Sequence, residues 1–293
     1  MASGEIVFME GEDNGRFPNA HCLFVDDEVP TVVDPATRPE ELERLDREIG
    51  IRCVINTHYH VDHVRYNRLF PNAEFVAHEA DVPAISSLDE NARIAGIAGQ
   101  PWAPVWKHVM REVWGYVDTK VDRAVTDGGE MSLGRNTVRF IHTPGHTPGH
   151  MCVEFVEKRA VYLADIDLTR FGPWYGNKCS SIDDFLASIE RLKSVDADTW
   201  YTSHGEGMIR GDIGDRLSAY AGVIIDRESR LLDFLAEPRT MQEIVDRAII
   251  FGRRWDPPEM FDFFEGTMAE KHLARLESAG LVALKDGRWA STD

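Results

Sequence analysis

The feature that most restricts the fold of this chain is a short apolar run followed at once by four metal-capable side chains. Residues 53–55, Cys-Val-Ile, predict a buried strand, and the segment NTHYHVDH continues directly from it. Neutral imidazole is the commonest metal ligand in proteins, and carboxylate is a usual second one. Because α/β folds build their sites at the carboxyl ends of strands, we expect a metal site here, with the candidate ligands His58, His60, Asp62 and His63.

Segments of strand length alternate with segments of helical pattern along the first two thirds of the chain. IVFME, HCLFV and TVVD read as short strands, and RCVIN, AEFVAH, TVRFIHT, MCVEFV and AVYLAD as further ones. RPEELERLDREIG predicts a helix that ends at Gly50, and SIDDFLASIERLKSV predicts one that Ser181 caps. A longer helical region is expected over residues 89–118. The alternation predicts an α/β fold.

The length of the chain indicates how many structural units to expect, and its charge indicates which classes of partner are disfavoured. The chain has 293 residues, with 32 basic and 50 acidic side chains and a net charge of −18. Since a single core rarely grows beyond about 250 residues, we expect two units, at residues 1–215 and 216–293. A strong negative charge repels nucleic acid and anionic membranes. The expected partner is therefore a small-molecule substrate, with neither nucleic acid nor membrane.

The cysteines and the N-terminal segment predict the compartment. The four cysteines are scattered, without a Cys-x-x-Cys pair, which argues against a zinc knuckle and against a disulfide framework. The first residues, MASGEIVFMEGED, lack the basic and apolar stretches of a signal peptide, and no apolar run approaches the ~20 residues of a membrane span. The sequence therefore predicts a soluble cytoplasmic protein.

Three segments further along the chain carry additional candidate ligands. HTPGHTPGH contains His142, His146 and His150, and their even spacing alone does not distinguish among them. VYLAD ends an apolar strand at Asp165, and WYTSHGEG places His204 directly after another strand. Each segment thus repeats the arrangement of an apolar strand followed by a metal-capable side chain.

Taken in order, these segments resemble the metallo-β-lactamase superfamily, whose members carry the motif His-x-His-x-Asp-His with further ligands downstream. The resemblance covers about residues 5–210 and implies an αβ/βα sandwich that holds two divalent metal ions. It assigns three side chains to each ion: His58, His60 and His146 to one, and Asp62, His63 and His204 to the other.

The same resemblance gives roles to several neighbouring residues. Asp165 would bridge the two ions, and Asp34 in VVDPAT would brace the ligand loop. His150 would orient a ligand or its loop without touching a metal. His78 is expected to be a structural histidine.

The two-metal pattern predicts hydrolysis. Two ions about 3.5–4 Å apart can share a bridging hydroxide, whose pKa they lower from 15.7 toward ~7, and can polarise the bond that it attacks. The expected catalytic carboxylates are Asp62 and Asp165. Five imidazoles and two carboxylates suit zinc, iron and manganese; zinc is our expectation, with iron and manganese as alternatives. The flavodiiron proteins, a redox branch, have Glu where this chain has His60.

Differences between this sequence and individual branches of the family narrow the range of expected substrates. The β-lactamases with an active-site cysteine have it where this chain has Asp165, whereas TPGHTPGH resembles glyoxalase II and its thioesterase relatives. The basic segment with which glyoxalase II binds glutathione has no counterpart here. We expect an acyl thioester, an ester or a lactone as substrate. A phosphodiesterase or nuclease of the same fold is the alternative, although no basic exosite arm is visible.

Two aromatic segments are candidates for substrate contact. PWAPVWKHVMREVWGYV contains three of the seven tryptophans, and it predicts either an apolar wall over the metals, with Trp106 as a contact, or a helix packed in the core. LTRFGPWYGNK follows Asp165 directly, so that Trp174 and Tyr175 are expected at the substrate. Arg170 or Lys178 would supply a cationic group.

The last 78 residues have a different pattern: helix, turn, helix, a long helix, and then a hairpin that turns at Asp286-Gly287. This order is typical of a winged-helix domain, which raises the alternative of a DNA-binding regulator. The segment has 11 basic and 14 acidic residues, hence a net charge of −3, and MAEKHLARLESAG shows no basic stripe. We therefore expect it to pack on the metal domain or to form a homodimer, close enough to shape the pocket.

Overall fold

The computed structural model describes residues 3–292, and two six-stranded sheets form its centre. The first sheet contains strands β1 to β6 in sequence order: β1 (Glu5–Met9), β2 (Cys22–Asp26), β3 (Thr31–Val33), β4 (Cys53–Asn56), β5 (Glu74–His78) and β6 (Arg123–Val125). The strands from β3 to β6 are parallel, and β1 and β2 are antiparallel to their neighbours. Because parallel strands need covered faces, β4 is apolar throughout its first three residues and is buried along its whole length.

The second sheet has the order β12-β11-β10-β9-β8-β7. Its strands are β7 (Glu130–Ser132), β8 (Thr137–His142), β9 (Met151–Phe155), β10 (Ala160–Tyr162), β11 (Thr199–Tyr201) and β12 (Met208–Arg210). All neighbours are antiparallel except β10 and β11, which are parallel. The crossover between these two strands contains a helix, as a parallel connection requires.

Helices cover the outer faces of both sheets. Within residues 3–292 they are α1 (Glu12–Gly15), α2 (Pro39–Ile49), α3 (Val61–Val64), α4 (Val82–Ser86), α5 (Leu88–Ala95), α6 (Ala103–His108), α7 (Ile182–Leu192), α8 (Gly214–Phe234), α9 (Met241–Arg247) and α10 (Pro258–Ser278). Short 3-10 turns occur at Asn67–Leu69 and Val156–Lys158, and a π-helical turn occurs at Val109–Val113.

The predicted ends of two helices are confirmed. Gly50 ends α2 with a left-handed backbone (φ 79°), a conformation that costs glycine little. The side chain of Ser181 accepts a hydrogen bond from the backbone N–H of Asp184 and so caps α7. The helical region expected over 89–118 is divided into separate helices. Gly96 ends α5 in the left-handed conformation, and α6 begins only at Ala103.

Separate apolar cores define the layers. Leu23, Val33 and Ile55 of the first sheet pack between the sheets with Val138, Val153 and other residues of the second. Leu42 of α2 packs on the outer face of the first sheet. The helices α7 and α8 cover the outer face of the second sheet. The order helix, sheet, sheet, helix confirms the predicted αβ/βα sandwich of the α/β class.

The C-terminal segment has the predicted order of elements, and it packs on the two-sheet sandwich. The helices α8, α9 and α10 are followed by the antiparallel hairpin of β13 (Val282–Lys285) and β14 (Arg288–Ser291). One apolar core joins Phe185 and Ile189 of α7 to Leu217 and Ile224 of α8 and to Met268 of α10. The core therefore continues across the predicted boundary at residue 215. Its assignment as a separate winged-helix unit stays a prediction.

Two further features of the described residues concern the cysteines and the length of the helices. The four cysteines, Cys22, Cys53, Cys152 and Cys179, are free thiols. Among residues 3–292, no helix combines the length and the apolar character that crossing a bilayer requires.

Candidate metal centre

The candidate ligands all follow strands at one end of the sandwich. His58 and His60 lie in the turn after β4, and Asp62 and His63 lie on α3, which begins at that turn. The loops after β8, β10 and β11 supply the other three: His146, Asp165 and His204. The structure thus brings together, from four loops of two sheets, all seven side chains that the sequence singled out.

The first cluster contains His58, His60, His146 and Asp165. Nδ1 of His60 lies 2.8 Å from Nε2 of His146 and 3.1 Å from Nε2 of His58, and the last two atoms are 3.2 Å apart. Nitrogen atoms that share a tetrahedral zinc ion at about 2.1 Å lie roughly 3.4 Å from one another. The three ring nitrogens are therefore close to the separation that one ion would require.

The second cluster contains Asp62, His63 and His204, and Asp165 lies between the two clusters. Oδ2 of Asp165 is 3.0 Å from Nε2 of His146 in the first cluster. Its Oδ1 is 3.0 Å from Nε2 of His63 and 3.4 Å from Nε2 of His204 in the second. One carboxylate oxygen thus faces each cluster, which is the arrangement that a bridging carboxylate needs.

The ring nitrogens that point away from the clusters have hydrogen-bond acceptors of their own. Nδ1 of His63 lies 2.7 Å from Oδ2 of Asp34, which also accepts the Thr57 hydroxyl at 2.6 Å. Since the Thr57 hydroxyl proton is used there, its oxygen is free to accept from Nδ1 of His58, 3.1 Å away. Nδ1 of His146 donates to the backbone carbonyl of Trp174 at 2.9 Å.

The same pattern holds for His204, whose Nδ1 contacts the backbone carbonyl of Gly15. For His60, the side-chain amide of Asn177 lies 2.7 Å from Nε2. Metal-binding histidines commonly donate their second ring N–H to an oxygen, which fixes the tautomer and the ring orientation. Four of the five imidazoles thus have an oxygen neighbour that directs an unprotonated nitrogen toward the cluster, and the amide of Asn177 can do the same for His60 only with its oxygen turned toward Nε2.

An unsatisfied buried atom supports metal binding by these residues. Nε2 of His63 is buried and takes part in no hydrogen bond, although Oδ1 of Asp165 lies 3.0 Å away. Buried polar atoms are almost always paired, and both of these atoms would be satisfied by the same cation. The donor set and the spacing therefore fit divalent metal ions.

The electrostatics of the first cluster suit metal binding. Burial, with the neighbouring histidines, lowers the pKa of His58 and of His60 well below the usual value. Both rings are therefore neutral near pH 7, the form that binds a metal. Burial alone would raise the pKa of Asp165, but His63 and His146 hold it well below its usual range. The bridging candidate is therefore an ionised carboxylate.

The second cluster differs because carboxylates surround it. Burial lowers the pKa of His204, but Asp165 and its neighbours raise it more, to about 9. Burial raises the pKa of Asp62. A metal ion at this cluster would replace protons that its ligands otherwise hold.

Several residues support the clusters without belonging to them. His150 accepts from the backbone N–H of Asp165 at 3.2 Å, and its Nδ1 donates to the carbonyl of Thr143, so it orients the loop as predicted. The Ser203 hydroxyl donates to Oδ1 of Asp165 at 2.7 Å. His142 and His78 stack on each other, 3.9 Å apart and outside both clusters.

Asp81 and Asn177 are two supporting residues that the sequence reasoning missed. Asp81 accepts the backbone N–H of Tyr59 and the hydroxyl of Thr147, and it thereby joins the loop of His60 to the loop of His146. Its only signal is its place after the carboxyl end of β5, where an α/β fold places polar side chains. Asn177 has no sequence signal, because its contact depends on how the loop after Asp165 folds back.

The three predicted substrate contacts have different outcomes. Trp174 is half-buried, and its ring lies 5.3 Å from that of His60 and 5.6 Å from that of His146. Tyr175, by contrast, is 0% exposed, and its hydroxyl lies 2.6 Å from Nε2 of His272, so it belongs to the core beneath the C-terminal segment. Trp106 is 9% exposed and packs among the helices α4 to α6, so the core interpretation of its segment is correct for this residue.

The predicted cationic groups lie on different sides of the site. Lys178 forms an ion pair with Glu270 at 2.6 Å. Arg170 lines a separate cavity of about 480 Å³ with Asp167 and Gly205, next to His204. Asp167 belongs to neither cluster, in agreement with the choice of Asp165 as the bridge.

The C-terminal segment holds the loop that carries Trp174. We call residues 171–180 the site loop. Arg227 of α8 is 2% exposed and donates to the carbonyls of Phe171 and Pro173 and to the Tyr175 hydroxyl, at 2.6, 2.7 and 2.9 Å. The carbonyl of Trp174 in this loop in turn accepts from His146. A hydrogen-bonded path therefore joins α8 to the first cluster.

A two-sheet sandwich with histidine and aspartate clusters at its strand ends defines a class of metal-binding hydrolase folds. Residues 15–204 match the family described as the Metallo-beta-lactamase superfamily. This match covers well over half of the chain, so the chain belongs to the metallo-beta-lactamase superfamily, as its motifs indicated. All seven candidate ligands lie within the matched residues.

Two curated relatives have names that describe hydrolytic enzymes. An atrochrysone carboxyl ACP thioesterase of Pseudocercospora fijiensis is 25% identical over 202 residues, which are 68% of this chain and 48% of the relative. A hydroxyacylglutathione hydrolase of Methylococcus capsulatus is 30% identical over 169 residues, 57% of this chain and 53% of the relative. The chain thus spans about half the length of the curated relatives it matches.

Solved structures share the fold over almost the whole chain. A metallo-beta-lactamase family protein from Thermus thermophilus aligns with a TM-score of 0.73 at 21% identity and covers 98% of both chains. A beta-lactamase domain protein from Burkholderia ambifaria has the same TM-score of 0.73 at 18% identity, over 100% of this chain and 93% of that one. The common fold therefore includes the C-terminal segment.

Proposed function

We propose that this protein is a dinuclear metal-dependent hydrolase of a small acyl substrate: a thioester, an ester or a lactone. The observation that carries the proposal is the position of the Asp165 carboxylate, with one oxygen 3.0 Å from His146 and the other 3.0 Å from His63. Two bound divalent ions would lower the pKa of water and polarise the bond under attack. Zinc is the proposed metal.

The chain's own residues would hold and orient the site. His58, His60 and His146 would hold one ion, and Asp62, His63 and His204 the other, with Asp165 shared. Asp34 and the carbonyls of Trp174 and Gly15 keep three of the ring N–H groups directed away from the metals. His60, Asp165 and His204 are the partly exposed members of the clusters, so substrate would approach from their side, where Asp62 and Asp165 face the reacting group.

The substrate class rests on the surroundings of the first cluster and on the relatives. The side of His60 and His146 is covered by the indole of Trp174, and an apolar contact of this kind suits an acyl group better than a phosphodiester. Both relatives described above have names that specify thioester cleavage. The net charge of −18 also opposes a polyanionic substrate such as RNA. These points favour the acyl substrate over the nuclease alternative.

A hydrolysis panel with a measurement of metal content would test the proposal. The purified protein, loaded with zinc, is offered acyl thioesters of N-acetylcysteamine, lactones and a phosphodiester. We expect two metal ions per chain and cleavage of the acyl compounds. His146→Ala should reduce both metal content and cleavage, whereas His142→Ala, four residues away and outside the clusters, should change neither. Cleavage of the phosphodiester alone, or full activity of His146→Ala, would overturn the proposal.

A further inference from the structure

Half-buried aromatic side chains from three separate segments meet beside the first cluster. Trp102 precedes α6, Trp174 lies in the site loop, and Trp255, Phe263 and Phe264 lie at or just before α10. We call these five residues the aromatic patch. Three of them lie beyond residue 204, outside the part of the chain that matches the family. The patch therefore draws most of its side chains from the C-terminal segment.

Ring-to-ring contacts connect the patch to the candidate ligands. The indole of Trp174 lies 5.3 Å from the ring of His60 and 5.7 Å from that of Phe264. Phe264 in turn lies 5.1 Å from Phe263 and 6.5 Å from Trp102. All of these separations are in the range of direct aromatic contact. The apolar surface therefore runs without interruption from the metal centre to the helices α6 and α10.

A glycine makes room for this arrangement. A side-chain Cβ at Gly176 would come within 2.6 Å of Cζ2 of Trp174 and 3.0 Å of Cδ1 of Phe264. Contacts that short are not tolerated, so any larger residue at position 176 would displace one of the two rings. Two ion pairs lie in the segments that carry the patch: Lys178 of the site loop pairs with Glu270, and Arg254 pairs with Asp262. The five side chains of the patch themselves carry no charge.

We propose that the aromatic patch is the binding site for the aliphatic chain of the acyl group, so that the C-terminal segment sets the chain-length preference of the enzyme. This inference rests on the proposed acyl hydrolysis and extends it. The occupant is an acyl chain because the patch is continuous with His60, a candidate metal ligand, and because its five side chains are aromatic. Each buried methylene strengthens binding by roughly fourfold, so long acyl chains are preferred to short ones.

Chain-length kinetics with a matched pair of variants would test the inference. The zinc-loaded protein is assayed with butanoyl and decanoyl thioesters of N-acetylcysteamine. We expect kcat/KM to be roughly tenfold or more higher for the decanoyl compound. Phe264→Ala should remove most of that preference, because it should lower kcat/KM for the decanoyl compound far more than for the butanoyl compound. Phe17→Ala is the control, because Phe17 is exposed and packs on Trp114 instead.

A binding measurement separates the failure of this inference from the failure of the proposed function. The non-hydrolysable thioether S-decyl-N-acetylcysteamine is titrated into the protein, and tryptophan fluorescence is followed. Binding that Phe264→Ala weakens and Phe17→Ala does not, even without hydrolysis of any thioester, would support the acyl-chain site and count against the hydrolase. Equal kcat/KM for both thioesters, or no binding of the thioether, would overturn the inference. Circular dichroism of Phe264→Ala checks that the variant is folded, and Phe264→Leu replaces it if it is not.

Discussion

The side-chain amide of Asn177 lies 2.7 Å from Nε2 of His60 and 2.7 Å from the hydroxyl oxygen of Tyr59. A half-turn of the amide exchanges its oxygen and its nitrogen. With the oxygen toward His60, the amide accepts Nε2–H, and Nδ1 of His60 is left unprotonated toward His58 and His146. Asn177 would then position His60 as a metal ligand, although it lies 117 residues away in the sequence.

Replacing Asn177 should change metal affinity in a way that depends on the new side chain. Asn177→Leu removes the acceptor, and we expect metal affinity to fall by about 10–100-fold, as for other neighbours of ligating histidines. Asn177→Asp keeps an oxygen beside Nε2 and should retain most of the affinity. Zinc titration against a competing chelator measures both, with the exposed Asn72→Leu as the control. Unchanged affinity of Asn177→Leu would show that Asn177 does not position His60.

Asp165 is expected to determine how many ions the protein holds. Because each of its oxygens faces one cluster, Asp165→Ala should lose at least one of two ions and reduce kcat by roughly 100-fold or more. Elemental analysis after dialysis gives the ion count, and activity is measured on the same samples. Removal of metal from the wild type with a chelator should abolish activity, and added zinc should restore it. A variant with two ions and full activity would rule out the bridging role.

Arg227 should affect both the stability of the protein and the first cluster. Arg227→Met leaves three oxygens of the site loop without their buried donor. We expect a loss of unfolding free energy on the order of 3 kcal/mol, together with weaker zinc binding, because the carbonyl of Trp174 orients His146. Thermal unfolding and zinc titration measure the two effects. Arg230→Met, at an exposed position of the same helix, should shift stability by no more than about 0.5 kcal/mol. Weaker stability with normal zinc affinity would confine Arg227 to a structural role.

The elements of the fold that could be predicted are those determined by residues close together in the sequence. The apolar runs of β4 and β10, the glycine at position 50 and the cap at Ser181 each act within a few residues, and the sequence shows them directly. The sequence predicts a helical region over 89–118 but not its division at Gly96, where any side chain would collide with Lys178 of the site loop.

The candidate ligands could be predicted from the sequence, whereas most of the residues around them could not. His58, His60, Asp62 and His63 lie within six residues of one another, and the others follow strands, so a motif identifies them. Tyr175 and Trp174 are adjacent and both aromatic, yet one is buried under α10 and the other faces the clusters. Their different environments result from the path of the site loop, which places the Tyr175 hydroxyl against Arg227 and His272. That path depends on tertiary contacts between residues far apart in the sequence.

The last prediction is that the protein does not bind DNA through its C-terminal segment. The long helix α10 is the one that a winged-helix protein would insert into the major groove, but here Met268, His272 and Leu273 of α10 are buried in the molecule. Its basic residues are also engaged within the chain. Lys271 donates to the carbonyl of Lys178 at 3.3 Å, and Arg275 pairs with Glu228 at 2.8 Å and with Asp183.

Binding would therefore require α10 to leave its core, and a segment with a net charge of −3 offers little counterion release as compensation. We expect the full chain to elute from immobilised duplex DNA at the lowest salt concentration tested. A basic DNA-binding protein run on the same column serves as the positive control. Retention of this chain that weakens steeply as salt increases would contradict the prediction and would support the regulator alternative instead.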